Sequence, residues 1–237
     1  MGKSLIQQAR GKGGPSYRAP SFRYKTSAKH QAITKAMNGV ITDFVKCPGH
    51  SAPLAEVTYE DGSAAFLIAP EGVCIGDNIE SSSNADPTVK GNTLSLANIP
   101  EGTNIYNIES QPGDGGKFCR VGGSTARIVS KTDKHAVVLL PSRKEKQFLL
   151  ACRANIGIIA GGSRTEKPIL RAGSKHHAKR ARNKRYPMIS GAAQNAVDHP
   201  FGNKRTSRKA KQRPIPRFAP AGRKVGKLHP RRTGRKK

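Results

Sequence analysis

The stretch AEVTYEDGSAAFLI, residues 55–68, decides how the rest of the chain is read. Ala55-Glu56-Val57-Thr58-Tyr59 alternates apolar and polar side chains, the period of a strand with one covered face. Glu60-Asp61-Gly62-Ser63 supplies a turn, and its Asp-Gly pair predicts the two-residue type I′ form. Ala64-Ala65-Phe66-Leu67-Ile68 returns, so the segment predicts a β-hairpin. Similar runs follow at 76–79, 103–108, 126–130, 136–140 and 147–153. Turns rich in Gly, Pro, Asp and Lys separate them, and a Ser/Asn/Pro-rich break at 81–88 divides them into two sets, the second starting near Gly91. Short strands at this spacing argue for two small barrels, not for helices or βαβ units.

Outward from this body the charge changes abruptly. The chain has 237 residues and a formal net charge of +28. Residues 37–163 hold eleven Lys/Arg against thirteen acids, whereas 1–36 hold eight Lys/Arg and no acid. Residues 164–237 hold twenty-four Lys/Arg against only Glu166 and Asp198. All the excess charge therefore sits in the two ends. A compact fold repels itself at such a charge unless a polyanion screens it, which points first to nucleic acid. A membrane surface is the weaker candidate: no apolar run approaches about 18 residues, and MGKSLIQQAR has no apolar signal core. A cytosolic protein is expected.

The ends lack core formers. From 204 to 237 only isolated apolar residues such as Ile215, Phe218, Val225 and Leu228 interrupt the cations, and prolines break the run. Such a segment cannot offset the entropy of ordering, and it is expected to take shape on a partner. One helix is predicted at 174–185, SKHHAKRARNKR, with Ser174 as N-cap and no apolar stripe. Near the N-terminus Tyr17, Phe22 and Tyr24 alternate with Arg18, Arg23 and Lys25, a pattern suited to stacking bases while cations hold phosphates.

The chemical motifs are thin. Gly2-Lys3-Ser4 has no strand or first glycine before it and so is no P-loop. Pro112-Gly-Asp-Gly-Gly-Lys117 reads as a flexible barrel loop close to phosphate, not as a nucleotide site. Cys47, Cys74, Cys119 and Cys152 form no C-x-x-C and are expected to be small buried side chains; Cys47-Pro-Gly-His50 is half a zinc site without its second pair. Asp198-His199 is the one arrangement with a catalytic flavour. Adjacent side chains seldom face each other, and Pro200 and Gly202 predict a kinked loop that presents the imidazole to a partner. His199 is thus read as a binding or structural histidine, with catalysis as the weak alternative.

Four separated pieces, GVITDFVKCPGHSAPLAEV (39–57), GNTLSLANIPEGTNIYNIESQPGDGGKFCRVGGSTARI (91–128), LLPSRKEKQFLLACRANIG (139–157) and AVDHPFGNKR (196–205), resemble in order the universal "L two" family of the large ribosomal subunit, in its archaeal/eukaryotic form. The resemblance implies a mainly β fold. It implies that a basic extension at 1–36 precedes an RNA-binding OB-fold at 37–85, an SH3-like barrel at 86–163 and a basic extension at 164–237. It implies a primary binder of large-subunit (23S-type) rRNA near the peptidyl-transferase centre, associated with subunit joining, tRNA binding and peptide-bond formation. Further implied partners are small-subunit rRNA at an intersubunit bridge and neighbouring large-subunit proteins. A catalytic role has been suggested in the family for the histidine matching His199. Where the family usually runs DHP, then His or Phe, then three glycines, this chain has Asp198-His199-Pro200-Phe201-Gly202-Asn203-Lys204-Arg205.

The expected phosphate or base contacts are Arg18, Arg23, Arg120, Arg127, Arg153, Arg180, Arg182, Arg185, Lys204 and Arg205. The expected stacking residues are Tyr17, Phe22, Tyr24 and Phe201, with His199 beside them. No cofactor and no metal site is expected, beyond structural Mg or monovalent ions at an RNA interface. Two other classes stand as alternatives: a peptidyl transferase using His199, and a basic architectural DNA binder.

Overall fold

A computed structural model describes residues 12–31, 36–203, 214–220, 222–226 and 228–229. The chain divides into two compact units, one formed by Ser21–Pro168 and the other by Met1–Pro20 with Ile169–Lys237.

The first unit is β. Its strands are β1 (Met37–Val45), β2 (Leu54–Tyr59), β3 (Ala64–Ile68), β4 (Asn78–Ser81), β5 (Thr93–Ser95), β6 (Asn104–Tyr106), β7 (Ala126–Lys131), β8 (His135–Leu139), β9 (Glu145–Leu149) and β10 (Arg153–Ile156). They follow one hydrogen-bonded order, β3-β2-β1-β4-β5-β10-β6-β7-β8-β9. Every pairing is antiparallel except β4 with β5, which touch in parallel at Ser81 and Thr93. That single parallel step joins a four-strand set to a six-strand set.

The hairpin at 54–68 forms with Thr58 opposite Ala64. Its turn differs from the expected one. Only Gly62 takes a positive φ, +78°, while the Gly62 amide donates to Tyr59 O and the Tyr59 amide to Ser63 O. A type I′ turn needs positive φ at both central residues; Glu60 and Asp61 stay negative, so this is a type I turn closed by a glycine bulge. The predicted run at 147–153 also proves to be two elements. β9 ends at Leu149, a turn follows, and β10 begins at Arg153. The unbroken apolar character of Leu149-Leu150-Ala151-Cys152 hid the break. Alternation also left β1 unread. Its middle is bulged between Ile41 and Asp43, which shifts the side-chain period. Gly39 within β1 lets the strands close up, since a Cβ there would come within 2.6 Å of Val57 Cγ1.

Three apolar clusters hold the unit. Ile41, Val57, Leu67 and Ile79 centre one in the four-strand set; Leu94, Leu96, Ile99, Ile105, Ile108, Ile128, Val138 and Phe148 build the larger one in the six-strand set. The third, with Ala28, Cys47, Leu54, Ile68, Tyr106 and Ile159, draws on both sets. Tyr106 crosses the junction and donates its hydroxyl to Ile68 O at 3.0 Å. Burying each large aliphatic residue contributes about 1.5–3 kcal/mol, so the two sets are stabilised jointly at this junction. Of the four unbridged cysteines, Cys47 and Cys152 are buried and Cys119 is half-buried. Cys74 is exposed, against expectation, because it sits in the loop before β4, where its amide binds the Asp77 carboxylate.

The second unit contains one helix, α1 (Ala172–Arg180), which buries no residue. Its N-cap is Arg171, three residues before the predicted Ser174, which lies inside the first turn. Its end follows from Asn183. That residue adopts φ +50°, the Asn183 amide donates to Arg180 O and the Lys184 amide to Lys179 O, a Schellman closure. Most of the 204–237 expectation lies outside the described residues; within them the Ile215 amide meets Leu228 O.

Candidate nucleic-acid interface

Phe22 and Arg23 stand out in the β unit. They occupy a short 3-10 turn, Ser21–Arg23, none of whose residues is buried. Phe22 is 82% exposed, and the Arg23 guanidinium lies 5.3 Å from its ring centre. An exposed ring beside a cation offers a nucleotide a stacking face and a phosphate partner at one place. Tyr24 turns the other way: its ring lies on Gly49, where a Cβ would come within 2.6 Å of Cδ2, and packs on the junction cluster.

The arginines of the β body divide by their partners. Arg127 is exposed, with Nε on Gly102 O at 3.0 Å. Arg120 is turned inward, Nη1 donating to Gly116 O at 2.8 Å and Nη2 to Ala28 O at 2.5 Å. Arg153 grips the Glu109 carboxylate through Nε at 3.1 Å and Nη2 at 2.8 Å, and reaches Gln31 O through Nη1 at 2.7 Å. Arg120 and Arg153 were expected at RNA; here both guanidinium groups are turned inward and bond groups of the fold.

Glu109 explains the glycine-rich loop. Its side chain is wholly buried and accepts from the Gly113, Gly115 and Arg153 amides as well as from the Arg153 guanidinium. Burial pushes its carboxyl pKa up, but the Arg153 hydrogen bonds and charge, with His30, outweigh this and the net shift is downward. Asp114 takes the Ser110, Gln111 and Gly116 amides. Gly113, Gly115 and Gly116 all have φ near +80° to +91°, which turns these N–H groups inward. The loop is an anion nest filled by the chain's own carboxylates.

In the second unit Tyr17, Arg18, Arg180 and Arg182 are exposed and Arg185 is half-buried. The Asn183 amide group donates to Arg18 O at 2.6 Å, which brings Arg18 to the end of α1. His199 and Phe201 form a pair, ring centres 5.2 Å apart, with the Phe201 amide donating to His199 Nδ1 at 3.0 Å. The neutral imidazole therefore carries its proton on Nε2. Burial, then the charge of Arg185, lowers its pKa. Gly191 leaves room for the ring, since a Cβ there would collide with it, and Gly202 packs directly on the Asn195 backbone. Lys204 and Arg205, like Gly2, Lys3 and Ser4, lie outside the described residues. Among the described residues no group of three His, Cys, Asp or Glu gathers to hold a metal, and no helix is long and apolar enough to cross a membrane.

Among the ring–cation pairs that went unread, one is fully exposed. Phe218 is 91% exposed with the Arg217 guanidinium 5.9 Å from its ring centre, a mirror of Phe22-Arg23. The adjacency Arg217-Phe218 was the available signal, masked by the overall polarity of the tail. Leu170 and Met188 are exposed nearly as fully.

A β body of barrel-forming strands, with exposed rings set beside cations and its excess charge in the ends, defines the class of polyanion-binding proteins. Residues 3–81 match the family Ribosomal Proteins L2, RNA binding N-terminal domain, and residues 89–219 match Ribosomal Proteins L2, C-terminal domain. Similar proteins named "Large ribosomal subunit protein uL2" include one from Natronomonas pharaonis, 44% identical over 99% of this chain and 97% of its own length. Those from Haloarcula marismortui (45%, over 99% and 98%) and Methanococcoides burtonii (44%, over the whole of both) are alike. The chain belongs to the ribosomal protein L2 family, whose two domains fit an OB-fold followed by an SH3-like barrel.

Proposed function

We propose that the chain is a structural constituent of the large ribosomal subunit, acting in the cytoplasm by binding large-subunit rRNA. The carrying observation is that cation-flanked rings, Phe22-Arg23 and Phe218-Arg217, stand in solvent on a chain of net charge +28 that belongs to this family. The proposed contacts are Tyr17, Arg18, Phe22, Arg23, Arg127, Arg180, Arg182, Arg185, Arg217, Phe218, Lys204 and Arg205, with the His199–Phe201 loop as a shaped element. Barrels at 37–85 and 86–163 dock on RNA shape, while extensions at 1–36 and 164–237 neutralise phosphates where folded domains cannot enter. Placement near the peptidyl-transferase centre and contact with small-subunit rRNA at a bridge are the finer parts of this proposal. The peptidyl-transferase alternative draws no support from His199, whose Nδ1 is taken by the Phe201 amide instead of an orienting carboxylate.

The test is sedimentation of the native protein from lysate. Cosedimentation with large subunits that survives high salt is expected; release into the soluble fraction at moderate salt, or preference for duplex DNA over structured rRNA in competition, would defeat the reading.

A further inference from the structure

Residues 21–31 combine two opposite behaviours within a few positions. Phe22 and Arg23 face solvent, whereas Tyr24 lies on Gly49, Ala28 is 1% exposed and His30 is 6% exposed. A segment without regular structure is buried only if its backbone groups find partners, and here the partners come from the six-strand set. Arg120 Nη2 donates to Ala28 O at 2.5 Å. The His30 amide donates to Gly115 O at 3.1 Å, and its ring Nε2–H to Asn107 O at 2.6 Å. Arg153 Nη1 closes the set on Gln31 O at 2.7 Å. The groups that receive the segment are those of the filled nest: Gly115 is turned inward by Glu109, and Arg153 is held by the same carboxylate.

We propose that residues 28–31 are an anchor that fixes where Phe22 and Arg23 are presented to RNA, and that His30, Arg120 and Arg153 serve binding as positioning residues without touching RNA. This rests on the rRNA-binding reading above. It gives the inward arginines and the buried histidine a task that a barrel alone does not need.

His30 works only as a neutral ring. Glu109, Arg153 and Arg120 are the charged groups that face it, and Glu109 is already paired with Arg153. A proton on the ring would add a third cation there. It would also place a donor at Nδ1, which has no hydrogen-bond partner among the described residues. Burial in these surroundings holds its pKa down at about 4. Acid therefore releases the segment.

The test uses the full chain and a transcript of archaeal large-subunit rRNA, with a double-mutant cycle. His30→Ala should weaken binding about tenfold, the size of one lost hydrogen bond with its loss of order. In a Phe22→Ala/Arg23→Ala background the same change should weaken it less than about twofold, because the residues it positions are gone. His30→Gln, which keeps a donor and does not titrate, should retain affinity near pH 7. It should also keep the residue-30 amide protected from hydrogen exchange near pH 4, where the parent loses protection after correction for intrinsic rates. Equal losses in both backgrounds, or a His30→Gln amide as acid-labile as the parent's, would overturn the anchor. Failure of the parent chain to bind the transcript would instead overturn rRNA binding itself. Should His30→Ala not fold, the comparison of His30→Gln with the parent across pH decides alone.

Discussion

Breaking the Glu109–Arg153 pair from either side leaves one buried charge without compensation, which costs about 3–5 kcal/mol. The Glu109 side chain is fully buried and Arg153 is 13% exposed, so solvent screens the pair little. Glu109→Gln should lower stability by about 3 kcal/mol in urea denaturation, and it should loosen the glycine loop, seen as faster amide exchange at Gly113 and Gly115. Its titration adds a pH effect. The folded-state pKa of Glu109 lies below its usual 4.5, so its contribution is present above that value and is lost as pH falls through the folded pKa. His30 acts in the same direction over a higher window. Its pKa falls from 6.5 to about 4 on folding, so between those values the unfolded chain binds the extra proton and stability declines with acid. The slope is about 1.4 kcal/mol per pH unit, roughly 3 kcal/mol in all. His30→Gln should flatten the curve between pH 6.5 and 4.5, and His199, also lowered by burial, keeps a residual slope. His199→Gln itself should slow large-subunit assembly modestly and leave peptide-bond formation intact, measured by gradient profiles and single-turnover assays. Complete loss of turnover in correctly assembled subunits would instead make His199 a catalytic group. At this scale local context cannot tell Arg127, Arg120 and Arg153 apart. What separates them is a carboxylate or carbonyl many positions away, such as Glu109, 44 residues before Arg153.

Turn glycines test the elements. Gly62 closes the first hairpin at φ +78° with open space where a Cβ would go. Gly62→Ala should therefore cost only the left-handed penalty, about 1 kcal/mol. Gly116 has φ +91°, and its Cβ would fall within 2.7 Å of Asn107 O, the acceptor of His30. Gly116→Ala should cost more than about 2 kcal/mol and should disturb the anchor as well as the loop, which urea denaturation and amide exchange at residue 30 would report. The hairpin was legible because alternation and turn residues agree over 55–68. The β9–β10 junction was not, because its apolar residues run on through the turn; nor was the closure of α1 by Asn183, which depends on one residue adopting a left-handed backbone.

Across the whole molecule the charge partition governs behaviour. The span 204–237 carries fifteen Lys/Arg and no acid. Truncation after Asn203 should flatten the log–log dependence of rRNA affinity on salt, by about 0.7–0.9 for each phosphate contact removed. An unchanged slope would place the tail away from the RNA. Composition and alternation alone determined the β body, the cationic ends and the class of partner, because burial period and net charge are local sums that need no coordinates. Only the tertiary structure decided which cations face solvent and which hold the fold. A buried carboxylate recruits its partners by proximity in space, and separations such as Gln31 to Arg153 carry no trace of that proximity in the order of residues.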